Sequence, residues 1–426
     1  MIRAALPEQG AARARYVLSV LLEDWGGLEV AYMQRQKPEI RLQAGGRPLI
    51  FHSPFLQAPQ SLKMTDVKLT DFEYEGLDST VLWPVPADQA IIDTADGIHI
   101  HADILGSAFF LLTGYETALH QPLDRQGRFS ARDSLLREVL QRPLVNEYYE
   151  ILRAMLQKTM GNDCFKPRQF RVVATHDVDH PTRTRSLPLP HLLKNLAGDV
   201  MQRKQTCLPR LRDYLSSRRP DAYDTFDYLL ERERGIESIW YLFAGGFGWN
   251  NPSYRLDAVT PLLHKLADSG TTIGVHFGLG SYLDSTRMRR EKRNLERYFP
   301  AIEHSRQHWL SLSAPATFRA LAAAGVGTDS TFSYRDAPGF RAGCCRSYQL
   351  FDYETDTPLP VRELPLILME STVVDQPELS QLEKMETIAD LKDTVRRHKG
   401  DFVFLWHNHR LVTPEERLLY EVTLQA

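Results

Sequence analysis

A parallel-stranded α/β core preceded by an α+β region is the fold class that this sequence predicts. Three observations point there. From residue 170 onward short apolar runs alternate with helical segments, most of which finish on a glycine or proline suited to a helix C-terminus. At 426 residues the chain exceeds the roughly 100–200 residues of one domain. Its composition, 43% hydrophobic and 25% charged, is that of a folded chain, and no repeat or low-complexity segment suggests a solenoid or propeller.

In chain order, residues 16–22 carry a helical pattern, 41–51 reads as two short strands around Gly45-Gly46, and 104–115 (ILGSAFFLLTGY) reads as a buried helix. A loop and then helices follow over 124–155. The expected organisation is an N-terminal α+β region over 1–150, a linker over 151–165 and a second domain over 166–426. In that domain the strand candidates are FRVVAT at 170–175, SIWYLFA at 238–244, TTIGVH at 271–276, VGTDST at 326–331, LPLIL at 364–368 and FVFLWH at 402–407. Helices are expected at 257–268, 287–298, 315–324 and 385–398. Strand, helix, strand at this spacing implies parallel pairing.

Composition also excludes. A net charge of −3 offers no global basic field for nucleic acid. The four cysteines, Cys164, Cys207, Cys344 and Cys345, are too few and too irregular for a disulfide scaffold, and are read as thiols. The apolar run near the start is far short of the ~20 residues that span a bilayer, so no membrane span and a cytoplasmic location are expected.

Chemistry concentrates at strand ends. FRVVAT runs straight into His176, Asp177, Asp179 and His180, and side chains two apart on a strand share a face, which aims Asp177 and Asp179 into one space. Two carboxylates so placed repel unless a cation or proton intervenes. His276 closes TTIGVH, Asp329 follows in VGTDST, and His407 closes FVFLWH. In parallel α/β folds ligands gather at the carboxyl ends of the strands. One strand-end His is ordinarily a hydrogen-bonded structural residue, but four such His or Asp positions on one face make a metal and acid/base site the stronger reading.

In their order along the chain, THDVDHP, IGVHFGLGSYLD, RQHWL, DSTFSYRDAPGFRAG, ELPL and LWHN resemble the NodB-type polysaccharide deacetylases, and more closely a bacterial branch with an additional N-terminal domain. The resemblance covers about 166–426, with DILGSAFFLLTGYE and DRQGRF similar to that N-terminal domain. It implies a distorted (β/α) barrel and a metal-dependent hydrolase that removes an acetyl group from an N-acetylated saccharide or glycoconjugate. It also implies one divalent ion, zinc first, with iron, nickel or cobalt as alternatives. Carried onto this sequence, it implies Asp177 as general base, Asp179 and His276 as metal ligands and His407 as general acid.

This chain departs from the family in the second motif, where Gly280 stands in place of the second ligand histidine. Catalytic zinc generally uses three protein ligands, so a replacement is required. His308 is the candidate: Arg306 takes the place of the family's Arg motif, and His308 lies two residues on, on the same face if extended. The alternative is a polar stretch between two helices; His180 and His304 are weaker substitutes.

Asp329 is expected to orient Arg306 or bind substrate, or else to cap a turn. Arg341, between Gly339 and Gly343, is a substrate-binding candidate or a structural ion pair. Trp406, Tyr282 and Phe340 could stack on a sugar, although aromatics beside strands are more often core. Adjacent Cys344 and Cys345 are read as buried thiols. The basic helix at 287–298 is read as a solvated face with Glu291 and Glu296 pairing locally. His99 and His101 share a strand face, but lack further ligands in sequence. Two rival functions stand beside the hydrolase: a degenerate protein that only binds carbohydrate, and a phosphohydrolase using His176-Asp177.

Overall fold

A computed structural model describes residues 1–120, 123–183, 189–201, 207–215, 221–245 and 254–425. Eight strands lie in the N-terminal region: β1 (Ile2–Pro7), β2 (Val30–Arg35), β3 (Ile40–Gln43), β4 (Leu49–Phe51), β5 (Thr70–Tyr74), β6 (Leu77–Val81), β7 (Ile91–Thr94) and β8 (Gly97–Ile100). Six form a mixed sheet in the order β2-β1-β3-β4-β8-β7, and β5 pairs with β6 as a separate hairpin. The expected 41–51 hairpin is β3–β4, and the apolar run at 104–115 is the helix Ile104–Thr113, buried along its whole length. Asp103 caps it by accepting from the Gly106 amide, and Gly114, at φ 64°, ends it.

Nine further strands follow among the described residues: β9 (Arg171–Val178), β10 (Glu237–Phe243), β11 (Thr272–Phe277), β12 (His304–Gln307), β13 (Thr328–Asp329), β14 (Tyr348–Asp352), β15 (Thr357–Glu363), β16 (Leu368–Met369) and β17 (Asp401–Leu405). They form one sheet in the order β14-β15-β13-β12-β11-β10-β9-β17-β16, parallel throughout except for β14. Its edges, β14 and β16, do not pair with each other. The result is a curled, incompletely closed half-barrel that resembles a distorted (β/α) barrel. Helices Phe226–Arg232, Thr260–Asp268, Ser285–Leu295, Ala316–Ala323 and Gln381–Arg397 occupy the crossovers. The last starts four residues earlier than expected because Ser380 and Glu383 close a capping box.

Two expectations need correction and one open reading is decided. LPLIL at 364–368 is strand only at its end, in β16, and the preceding strand β15 has the polar, proline-bearing sequence TPLPVRE. The segment around Arg306, open as a polar stretch between helices, is the parallel strand β12 between β11 and β13. The residues taken as linker begin inside the helix Leu144–Met160, where Ile151, Leu152, Met155 and Leu156 are buried, so the chain leaves that helix only at Gly161.

One apolar core runs through both regions. Tyr16 packs on Phe351 at 4.6 Å between ring centroids, and Trp25 Nε1 donates to the Ser347 carbonyl at 3.0 Å. Cys344 and Cys345 are buried thiols in this seam, and Asn146 Oδ1 accepts from the Cys345 amide at 3.0 Å. The side chain of Cys207 lies outside the described residues. No helix among the described residues is long and apolar enough to cross a membrane.

Candidate metal centre and active site

Strands β9 to β12 lie side by side and in parallel, with Asp177 opposite Tyr241, Phe243 opposite His276, and His276 opposite Arg306. Polar residues at their carboxyl ends therefore meet at one mouth. Alternation along β9 divides its last residues between two environments. Thr175 and Asp177 both reach Arg306. The ring of His176 points elsewhere, with its nitrogens 2.6 Å from Glu233 Oε1 and 2.7 Å from the Trp406 carbonyl. His176 and Asp177 thus share no site, which removes the phosphohydrolase reading.

Asp179, His276 and His308 present three donor atoms to one another. His276 Nε2 lies 3.0 Å from His308 Nδ1 and 3.3 Å from Asp179 Oδ1, and His308 Nδ1 lies 3.5 Å from the same oxygen. Tetrahedral bonds of about 2.0–2.1 Å require ligand–ligand edges of about 3.3–3.4 Å, so the triangle has the size of one face of a divalent-metal site. Two further observations fit an ion there. Asp179 Oδ1 is buried and accepts no hydrogen bond. His276 donates from Nδ1 to the Arg306 carbonyl at 3.1 Å, which leaves the lone pair of Nε2 turned to the triangle. Burial pushes the His308 imidazole down to about 4 despite the nearby Asp179 charge, so it is neutral at pH 7. Burial opposes ionisation of Asp179, but the imidazoles of His308, His276 and His407 outweigh it and hold the carboxyl well below the usual range.

His308 reaches this place because it directly follows β12, two residues beyond Arg306. Trp309 and Leu310, at φ 61° and 56°, then turn the chain away. Gly280, where a second-motif histidine would stand, sits at φ 86°, a conformation unfavourable for any side chain. On the other side of His276, buried Glu291 receives the Gly278 amide at 2.8 Å and pairs with Arg287, fixing the loop after β11. Glu291 is therefore no part of a solvated face.

Beside the triangle, Asp177 Oδ1 accepts from Arg306 Nη1 at 3.0 Å, while Asp177 Oδ2 is 3.8 Å from His276 Nε2. Arg306 is fully buried. It also donates to the Ser330 carbonyl at 2.7 Å, Ser330 Oγ at 2.8 Å and Thr175 Oγ1 at 2.9 Å, and lies 4.4 Å over the Tyr241 ring. Across the mouth, His407 holds Nδ1 2.7 Å from Glu370 Oε1 and Nε2 3.7 Å from Asp179 Oδ2. Burial would lower the His407 pKa, but the Glu370 carboxylate, with Asp179 and Asp177 behind it, raises it to about 9. Asp177, Asp179, His308 and His407 thus line one cavity of ≈ 340 Å³, and His276 closes the donor triangle from the buried side.

The structure brings together Asp177, Asp179, His276, Arg306, His308 and His407. Sequence reading missed Glu370, which follows a strand end like the other acids, and Arg128, Arg335, His409 and Arg410, which also line the cavity. Asp329, Arg341 and Trp406 lie elsewhere. Asp329 is buried beside β12, accepting from Ser305 Oγ at 2.6 Å and the Thr331 amide at 3.1 Å, and burial pushes its pKa up to about 6. Arg341 is buried with its guanidinium 4.5 Å over Phe332 and donates to the Ser333 carbonyl at 2.7 Å. Trp406 is core, donating to the Arg410 carbonyl at 2.9 Å and packing on Tyr420. Phe340 is likewise buried. Tyr282 packs on Gly127, where an added Cβ would fall 2.7 Å from its ring. Of the weaker ligand substitutes, His180 borders the cavity and His304 sits at the opposite end of β12.

Residues 3–161 match a family of unknown function, DUF7033. No curated protein matches the chain. Among solved structures the chain is distantly similar to a candidate polysaccharide deacetylase from Mycobacterium smegmatis, with 17% identity, a TM-score of 0.41 and coverage of 61% of this chain and 84% of that one. A candidate polysaccharide deacetylase from Pseudomonas aeruginosa aligns at 10% identity and a TM-score of 0.38, covering 63% and 89%. PuuE allantoinase aligns at 11% and 0.39, covering 61% and 86%. Scores this low leave the chemistry to be read from the residues themselves.

Proposed function

We propose that the protein is a metal-dependent hydrolase that removes an acetyl group from an N-acetylated sugar in a saccharide or glycoconjugate pathway. The observation that carries this reading is the Asp179–His276–His308 triangle set between a carboxylate held by Arg306 and an imidazole charged by Glu370. Asp179, His276 and His308 would hold the ion, zinc first, with iron, nickel or cobalt as alternatives. A divalent ion in such a site lowers the pKa of water toward ~7 and polarises a carbonyl.

The remaining work falls to this chain's own groups. Asp177, fixed at Oδ1 by Arg306, takes the proton of the attacking water at Oδ2, the oxygen that faces His276. Arg306 orients that carboxylate without itself entering the cavity. His407 holds its transferable proton at Nε2, because Nδ1 is engaged by Glu370, and delivers it to the departing sugar nitrogen. An amine leaves only when protonated, so an acid opposite the base suits an amide. Acetate and a free amino sugar result.

The test is purification without chelators, metal analysis, and acetate release from a panel of N-acetylated mono- and oligosaccharides. One stoichiometric ion in the triangle and chelator-sensitive acetate release, restored by zinc or cobalt, are expected. Saccharide binding with neither metal nor turnover would instead establish the degenerate carbohydrate-binding protein.

A further inference from the structure

A second group of histidines lies in the N-terminal region, far in sequence from the strands that build the cavity. His99 is in β8, His101 follows that strand, and His52 follows β4, which pairs with β8 in parallel. The register sets Ile50 opposite His99 and Phe51 opposite Ile100, so the next step places His52 beside His101. All three imidazoles therefore project from one face. Their strand neighbours Phe51, Ile98 and Ile100 alternate with them and are buried in the core.

The rings are gathered closely. His52 Nε2 lies 3.0 Å from His99 Nδ1, and the His52 and His101 rings stack with centroids 4.1 Å apart. One nitrogen from each lies within 4.8 Å of the others. The backbone under them is fixed, since the His52 amide donates to the Ile100 carbonyl at 2.9 Å and the His101 amide to the Ala90 carbonyl at 2.8 Å. His99 Nε2 lies 3.2 Å from Asp96 Oδ1, and a proton donated there leaves the Nδ1 lone pair turned toward His52. A carboxylate on the outer nitrogen of a ligand imidazole is the arrangement that orients metal-binding histidines. Each ring is half-buried, so one side of the cluster remains open to water.

We propose that His52, His99 and His101 form a second metal site, separate from the cavity, that binds a first-row divalent transition ion through three imidazole nitrogens. Neutral imidazoles without a thiolate or a direct carboxylate suit zinc and copper(II) and disfavour magnesium and calcium. Closing the triangle on an ion needs nitrogen–nitrogen edges of about 3.3 Å, which ring rotations at a strand end can supply.

Equilibrium dialysis of the full chain against zinc, with metal analysis of the protein, tests this. The wild type should bind two ions, His101→Gln one, His276→Ala one, and the two substitutions combined none. Zinc retained by His276→Ala should shift the Hε1 NMR signals of His52, His99 and His101, and magnesium should not. A single ion in the wild type that is lost with His276→Ala would overturn the proposal, as would a second ion that survives His101→Gln and His52→Gln together. Failure at the half-barrel leaves the His101-dependent ion in place, so the two metal claims fall separately. Should His276→Ala not fold, His101→Gln and His52→Gln in the wild-type background decide the question through the same count and the same signals.

Discussion

Replacing His308 with alanine tests the proposed half-barrel metal site at its third donor. His308 Nδ1 supplies one corner of the donor triangle, at 3.0 Å from His276 Nε2 and 3.5 Å from Asp179 Oδ1. Four-ligand zinc sites bind with about 10–16 kcal/mol, so one ligand contributes roughly 3–4 kcal/mol. At 1.4 kcal/mol per decade this is about 10²–10³-fold in Kd. Linkage makes it visible as stability: with free zinc at a hundred times the wild-type Kd, binding stabilises the wild type by about 2.7 kcal/mol and the variant by at most about 0.4 kcal/mol. Competition against a chromophoric chelator and denaturant unfolding with and without zinc measure the two numbers. The second histidine site would add equally to both proteins, so both comparisons belong in the His101→Gln background. His180→Ala, at the cavity border, and His304→Ala, at the far end of β12, should leave zinc affinity within about threefold. If His308→Ala keeps wild-type affinity while His180→Ala loses it, the third ligand has been assigned to the wrong strand.

Asp177→Asn should keep its zinc and lower acetate release by at least about 10²-fold, whereas His276→Ala should lose the half-barrel ion and turnover together, as metal analysis and a turnover assay on the same samples would show. Burial, aided by Arg346 and Arg397, holds the His398 pKa down at about 4 against an ordinary 6.5. The folded state therefore refuses a proton that the unfolded chain accepts: the stability is full above pH 6.5 and is lost as pH falls toward 4, by up to about 3 kcal/mol. Urea titrations across that window should show His398→Gln with a correspondingly flatter profile, and parallel profiles would exclude His398 as a source of acid sensitivity. Gly400→Ala would set a Cβ 2.3 Å from Cys345 Sγ and 2.6 Å from its carbonyl oxygen, and should destabilise by about 1–3 kcal/mol or more in the same titration.

What the sequence disclosed and what it hid follow from how each strand is satisfied. Strands β9, β10, β11 and β17 are legible because helices and neighbouring strands bury them on both faces, so they read as apolar runs. β12 has the same position in the sheet but the letters HSRQ. Its Ser305 is satisfied by Asp329, and Arg306 by Thr175, Asp177 and Ser330, all distant in sequence, so burial leaves no apolar signature. The period of two pairs Asp177 with Asp179 and Arg306 with His308, although Asp179 and His308 each lie one residue past the end of the strand. Glu370 escaped notice because LPLIL is largely irregular and the strand before it lasts two residues. Asp329, Arg341 and Trp406 carry letters suited to a sugar site, but a buried acid, a guanidinium between aromatic rings and a core indole use the same letters. Only the partners distinguish them.

The N-terminal region enters the half-barrel site through the backbone that follows His308. Left-handed conformations at Trp309 and Leu310 cost roughly 1–2 kcal/mol each, and such strain persists only where the surroundings over-determine it. Those surroundings include the 124–131 loop. The Gly127 carbonyl accepts from the Leu312 amide at 2.9 Å, and the Arg128 guanidinium lies 5.2 Å over the Trp309 ring while bordering the cavity. Arg128 is held in turn by Asp124 at 2.8 Å, and the loop is pinned again where the Ala131 amide donates to Asp336 at 2.8 Å. Removing these contacts would release the turn that aims His308 at His276. The region preceding the half-barrel is thus part of what positions His308 at the cavity wall.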